Sequence, residues 1–254
     1  MSKPDLVDLH WPAGPGARIS LGCLYNDAAQ FENMAAHLEA AGFRTAGAEL
    51  MAIDNGQSNK ADCFDGIRAF LAQAQAEILV VLHQDVEVID DHDTLLAALA
   101  ALPEDWAVAG NVGYLDPEQQ VFRITDPYRE DGRSPDLPAP VTSLDENFLV
   151  LRRDRGVTPS WDLEGFHFYG TDLCLQARLK GCTAWVIDYH VRHLSRGKVN
   201  ESFYGARAAF EAKYEAYLKT QRLRTPSAML LFGAWAPLRP WRQKVQALFH
   251  KLRG

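Results

Sequence analysis

From residue 18 to residue 110 the chain alternates short apolar runs with amphipathic stretches. RISLGCLY (18–25) predicts a buried strand. Asn26 and Asp27 supply capping side-chain oxygens for a helix over 28–41, and Gly42 stops it. AELMAI (48–53) predicts a second strand that ends on Asp54, Asn55 and Gly56, and a second helix follows over 62–73. EILVVL (77–82) is apolar at every position after the first, the pattern of a strand covered on both faces and therefore central. A third helix over 93–102 ends at Pro103, and 106–109 is a fourth strand. This alternation predicts an α/β fold with a largely parallel sheet. Polar residues cluster just after the strands, where such sheets bind ligands. The first strand–helix connection lacks GxGxxG, which disfavours a dinucleotide site.

The later chain is less regular. Residues 114–140 are rich in Asp, Pro, Gly and Arg and predict a long loop or hairpin excursion. DENFLVLRR (145–153) reads as a strand. SWDLEGFHFYGTD (160–172) reads as a structured loop, with Thr171 or Asp172 as N-cap of a helix that closes at Gly181. TAWVIDYHVRH (183–193) predicts one more strand, leading to a polar segment over 194–200, and a helix is expected over 201–218.

The 254 residues are ample for a buried core, and 47% hydrophobic with 23% charged residues is ordinary for a soluble globular protein. A disordered chain, a collagen-like fibre and a small disulfide scaffold are excluded. Cys23, Cys63, Cys174 and Cys182 form no CxxC pair and read as buried reduced thiols. The N-terminus has no signal-peptide core and no run of 18 apolar residues occurs, so a cytoplasmic protein is expected. The net charge of −7 speaks against whole-surface nucleic-acid binding, and no nucleic-acid partner is expected. The charge is uneven, because no acidic residue follows Glu215. Up to there the chain carries −15, whereas 216–254 hold eight Lys or Arg residues interleaved with leucines and aromatics, including Phe232, Trp235, Trp241 and Phe249. That mixture suits C-terminal helices packed on the body with their charges solvated, and the alternative is peripheral contact with an anionic membrane.

Three groups of residues carry candidate chemistry. In an extended HQDVE segment, His83, Asp85 and Glu87 point to one side. Asp85 at its centre offers hard oxygens to Mg²⁺ or Mn²⁺, and the alternative is a strand-end loop with solvated acids. Asp172, in the first turn of a helix, suits a cap and a general base alike. His190 and His193 follow a strand, and either could ligate a metal, while Arg196 and Lys198 after them could hold a diphosphate or lie in a surface loop.

The order of these groups resembles the GT-A glycosyltransferases, in particular the family 2-like group, over about residues 18–200. LVVLHQDVEV resembles the family's DxD segment, with His83 in place of the first Asp and Asp85 as the second. FYGTDLCLQARLKG resembles the Glu-Asp segment at a helix start, with Thr171 at the Glu and Asp172 at the Asp. The resemblance implies a GT-A-like, Rossmann-like fold in residues 1–200, with a nucleotide-binding half over 18–110, an acceptor half over 111–200 and a helical, basic and aromatic extension over 201–254. It implies transfer of a sugar from a nucleotide-diphosphate sugar to an acceptor hydroxyl, metal-dependent and inverting. Asp172 would be the base, and Asp85 and His193 would be metal ligands, with His190 as runner-up. Tyr25, Asn26, Asp54 and Asn55 would lie at the nucleotide, with Arg196 and Lys198 at the diphosphate. Asp145, Glu146, Trp161, His167 and Tyr169 would line the acceptor site. A carbohydrate or lipid-linked acceptor is implied, as in polysaccharide biosynthesis, with the protein peripheral at the inner membrane face.

Two other classes compete. A nucleotidyltransferase would carry a Gly-rich phosphate loop that residues 20–30 lack. A non-catalytic nucleotide-sugar or glycan-binding protein with a decayed transferase fold stays open through His83 and Thr171, although Asp85, Asp172 and a late histidine together speak against it.

Overall fold

The computed structural model describes residues 6–196 and 200–245. Its elements run β1 (Asp8–Trp11), β2 (Ile19–Tyr25), α1 (Ala28–Ala40), β3 (Glu49–Asp54), α2 (Cys63–Gln73), β4 (Ile78–Leu82), β5 (Val86–Val88), α3 (His92–Ala100) and β6 (Trp106–Gly110). Then come β7 (Val112–Tyr114), β8 (Gln120–Asp126), β9 (Arg129–Arg133), β10 (Ala139–Pro140), β11 (Ser143–Leu144), β12 (Phe148–Arg152), α4 (Tyr169–Leu179), β13 (Thr183–Val186), β14 (Val191–His193), α5 (Glu201–Glu215), β15 (Gln221–Arg224) and β16 (Met229–Phe232).

The predicted helices form where their caps stand. Asp27, Asp62 and Asp91 each accept backbone N–H groups of the first turn of α1, α2 and α3, satisfying donors that have no partner inside the helix. The main sheet has the order β1-β3-β2-β4-β12-β6-β13-β10. β4 is central, as its apolar run predicts: Leu79 and Val81 enter the core under α2, α4 and α5, while Ile78, Val80 and Leu82 enter the core under α1 and α3. β3, β2, β4, β6 and β13 share one direction. β12 runs against them between β4 and β6, which brings the segment before it to the same edge as the end of β4. Close packing of α2 on β2 requires Gly22, where a Cβ would lie 2.6 Å from the Phe70 ring.

A second sheet of order β11-β7-β8-β14-β5 takes up the expected excursion over 114–140, with β9 paired to β8. The single strand expected over 183–193 is two strands in different sheets, β13 and β14. This split matters for the site, because β14 pairs antiparallel with β5 and sets His193 opposite Val86, directly after Asp85.

The C-terminal part departs from the expected helical extension. α5 is helical, but 221–232 forms the hairpin β15–β16 across a Thr225–Ala228 turn. Phe203, Phe210 and Tyr214 of α5, with Leu223, Leu230 and Phe232 of the hairpin, share one core with α2 and α4. Arg239 is bound to Glu211, Glu215 and the Leu231 carbonyl, so it pins the segment after β16 to α5. Among the described residues no helix is long and apolar enough to cross a membrane, and the four cysteines are free, Cys23, Cys63 and Cys174 being buried.

Candidate active site

The carboxyl ends of β2, β4 and β14 meet at an open cleft of about 690 Å³ lined by Tyr25, Asn26, Asp27, Gln84, Asp85 and Arg196, with His83, Cys63, Phe166 and Ser195 also at its wall. Gln84 ties its two sides together. Its Oε1 accepts the Asn26 and Asp27 N–H groups at 2.8 and 3.0 Å, and its Nε2 donates to Asn26 Oδ1 at 2.9 Å.

His83 and Asp85 stand in the wall of this cleft, His193 lies beside them, and the candidate ligand atoms of the three all lie within 4.8 Å of one another. Asp85 Oδ1 is 3.4 Å from His193 Nε2 and 3.9 Å from His83 Nδ1. The 107 residues between Asp85 and His193 are bridged by the β5–β14 pairing and by the Leu194 N–H, which donates to the Asp85 carbonyl at 3.0 Å. Burial alone would raise the Asp85 pKa. The His193 hydrogen bond and the charge of His193 outweigh it and hold the carboxyl well below the usual carboxylate range. Burial, and then the neighbouring His193, push the His83 pKa down, so its imidazole is neutral.

The Tyr169 hydroxyl lies 2.7 Å from His83 Nε2 and 3.2 Å from the Glu146 carbonyl. With its proton on the carbonyl it accepts from Nε2, the tautomer that leaves the Nδ1 lone pair on the side of Asp85. Two imidazoles and one carboxylate form a donor set that fits a divalent transition ion, whereas Mg²⁺ and Ca²⁺ favour oxygen alone.

The expected nucleotide residues divide. Tyr25, Asn26 and Arg196 line the cleft. Asp54 is paired in register with Tyr25 and accepts the Gly56 N–H at 2.7 Å. Asn55 is spent on its own loop, since its amide donates to the Ala61 carbonyl and its carbonyl accepts the N–H groups of Lys60 and Ala61. Its side chain therefore staples its own loop. Lys198 lies outside the described residues.

Asp172 is not where a base belongs. α4 begins at Tyr169, after Phe168 at φ 67°, so Thr171 and Asp172 lie inside the helix and neither is its N-cap. Asp172 is 0% exposed. It accepts the Ser160 N–H, the Ser160 hydroxyl and the Tyr214 hydroxyl at 2.8, 2.6 and 2.5 Å, tying α4 to α5 and to the loop before it. Burial pushes its pKa up. Tyr169 is likewise sealed, at 1% exposure, so it positions His83 and does not touch an acceptor. Glu87 turns away from Asp85, bonding Asn33 and Arg192 instead, because the chain turns at 83–86 into β5. His190 is buried against Thr125 and is no part of the triad.

Asp145 and Glu146, just before β12, are half-buried. The negative charge of Asp145 acts on His83, on His193 and on Glu146. Burial and then Asp145 push the Glu146 carboxyl up to about 8. His167 shares a small cleft with Glu146, and burial lowers its pKa. Trp161 is 81% exposed and stacks with Arg68 at 4.4 Å, apart from the residues that line the main cleft. Gln84, Ser195 and Tyr169 in its positioning role escaped the sequence reading. Gln84 alone had a usable signal, its place between the two candidate ligands.

The chain is 34% identical over 227 residues to "ATP synthase subunits region ORF 6" of Fuscovulum blasticum, covering 85% of this chain and 91% of that protein. The chain belongs to that protein's family. The family's name carries no activity with it, and no model of a known protein family matches the chain. Its fold is the GT-A fold. GalNAc-T7, in a crystal structure with UDP, GalNAc and Mn²⁺, superposes with a TM-score of 0.52 over 79% of this chain and 50% of that one, at 7% identity. The mannosyltransferase PcManGT from Pyrobaculum calidifontis, with GDP-Man and Mn²⁺, gives 0.48 over 95% and 73%, at 13% identity. At such identities the likeness is one of fold alone. Within the GT-A fold of this chain, the triad and its cleft stand at the strand ends where α/β sheets bind ligands.

Proposed function

We propose that the protein transfers a sugar from a nucleotide-diphosphate sugar to an acceptor hydroxyl. The observation that carries the proposal is the His83–Asp85–His193 cluster, two of whose members line a cleft that also holds Tyr25, Asn26 and Arg196. GalNAc-T7, of the same fold, holds UDP, GalNAc and Mn²⁺ in its crystal structure, which supports the same ligand classes here.

In this reading Asp85, His83 and His193 hold the metal, and their nitrogen content favours Mn²⁺ over Mg²⁺. When bound, the ion supplies positive charge against the diphosphate leaving group. Tyr25, Asn26 and Asp54 hold the nucleoside, and Arg196, with Lys198 beyond the described residues, holds the diphosphate. Asp145 takes the proton of the acceptor hydroxyl in place of the sealed Asp172. The acceptor oxygen then forms its bond to the anomeric carbon as the bond to the diphosphate breaks, a single displacement that inverts the centre. Glu146, protonated at neutral pH, donates a hydrogen bond to the acceptor beside His167.

The acceptor is a carbohydrate or a lipid-linked sugar, as in polysaccharide assembly. The basic segment from residue 216 onward makes peripheral contact with an anionic membrane at the cytoplasmic face. One observation favours a second reading, a non-catalytic nucleotide-sugar binder: the expected base, Asp172, is walled off. Calorimetry with UDP, GDP and dTDP, with and without Mn²⁺, tests the donor site. Metal-dependent binding of one nucleotide, lost in Asp85→Ala, is expected, and no binding of any of the three contradicts it. Asp145→Asn then separates the readings, because a transferase keeps nucleotide binding and loses transfer.

A further inference from the structure

A second cleft lies away from the metal cluster, between the β7–β8 turn and the C-terminal hairpin. It encloses about 290 Å³ and is walled by Arg222, Arg224 and Arg242, with Tyr114 and Glu118 at its side. From Gln120, opposite Tyr114, to Ile124, opposite Val191, β8 runs four residues, about 13 Å at the usual strand rise. Arg222 and Arg224 alternate along β15 and so share one face. Arg224 is braced against the Tyr114 ring at 5.6 Å. The carboxylate at this cleft is Glu118, which pairs with Arg222 at 3.1 Å. Among the described residues neither Arg224 nor Arg242 makes a salt bridge, so the cleft keeps a surplus of positive charge.

The apolar surroundings point to the occupant. Leu238 ends a 3-10 turn over Gly233–Leu238 that runs directly into helix over 239–245, and Trp241 and Arg242, three and four residues on, lie on its side of the chain. Leu238 is 45% and Trp241 62% exposed, an arrangement suited to the interface between headgroups and acyl chains. Arg239 does not belong to this face, since its bonds to Glu211, Glu215 and Leu231 hold the whole patch on the body. The uneven charge of the chain turns the same end toward an anionic surface.

We propose that the Arg222–Arg224–Arg242 cleft binds the phosphate of an anionic lipid headgroup while Trp241 and Leu238 enter the bilayer interface. This deepens the membrane contact proposed above and does not depend on sugar transfer.

The full chain is sedimented with phosphatidylcholine vesicles with and without about 30% phosphatidylglycerol, and its Mn²⁺–UDP binding is measured on the same samples. Binding to the anionic vesicles alone is expected. Arg222→Gln/Arg224→Gln/Arg242→Gln loses on the order of 100-fold in partitioning, roughly five-fold for each cation near an anionic surface. Arg44→Gln/Arg178→Gln/Lys180→Gln, which removes the same charge elsewhere, changes partitioning less than about two-fold. Circular dichroism confirms that each variant is folded. Unchanged partitioning of the first variant, or an equal loss in the second, overturns the proposal. Binding of inorganic pyrophosphate that needs the three arginines, with vesicles ignored, overturns it in favour of a soluble phosphate ligand. Loss of Mn²⁺–UDP binding alone, with vesicle binding intact, strikes the transferase reading and leaves this one standing.

Discussion

Removing the Tyr169 hydroxyl tests how the cluster is built. In Tyr169→Phe the ring keeps its place against Phe64, at 6.2 Å between centroids, so packing is conserved. What is lost is the acceptor for His83 Nε2 at 2.7 Å. The imidazole is then free to exchange its tautomer and to rotate, which withdraws the Nδ1 lone pair from the side of Asp85. Partners of this kind typically contribute 10- to 100-fold in metal affinity, roughly 1.4–2.8 kcal/mol. Mn²⁺ titration followed by the paramagnetic resonance of the free ion reads this directly. The expected result is a Kd weaker by about that factor, with stability lowered by about 2 kcal/mol for the two hydrogen bonds of the lost hydroxyl. An unchanged Kd in a folded Tyr169→Phe protein would refute the assignment of His83 as a ligand through Nδ1.

Asp172→Ala removes the acceptor for three buried donors, and about 1 kcal/mol for each predicts a loss near 3 kcal/mol in urea denaturation, with Mn²⁺-dependent nucleotide binding retained. Loss of binding in a stable variant would contradict that. A carboxyl raised from 4.5 to about 8 keeps its proton in the folded state after the unfolded chain has released it, so Glu146 makes stability fall as pH rises across that window. The slope reaches about 1.4 kcal/mol per pH unit, and Glu146→Gln flattens it in denaturation curves taken between the two values. A chain cut after residue 200 loses Phe203, Phe210, Tyr214, Leu230 and Phe232 from the shared core. At roughly 1.5–3 kcal/mol each the loss is as large as ordinary domain stability, so the fragment is expected to be unfolded by circular dichroism.

Up to Gly110, β2, β3, β4, β6 and the three helices were legible because each rests on local signals, an apolar run covered on both faces, an Asp cap or a stop, whereas the short strands β1 and β5 were not read. The antiparallel course of β12 was not, because direction depends on the path of 114–147 and not on the pattern of 148–152. The hairpin over 221–232 did leave a trace, two short runs around Thr-Pro-Ser-Ala, but the basic residues drew the reading toward a helix. At the site, Asp85 and His193 stood out by type and position, and the structure brings them within 3.4 Å. Asp172 misled for a physical reason. A carboxylate near a helix start reads the same from sequence whether it faces solvent or a neighbouring helix, and only the packing of α5 with Tyr214 settles that it is sealed.

The most direct measurement is a crystal soaked with MnCl₂ and UDP, with the ion located by its anomalous scattering. The account predicts one strong peak about 2.0–2.3 Å from Asp85 Oδ1, His83 Nδ1 and His193 Nε2, with diphosphate oxygens completing the coordination. A peak elsewhere, or nucleotide bound in the cleft with no ion on these three residues, would contradict it.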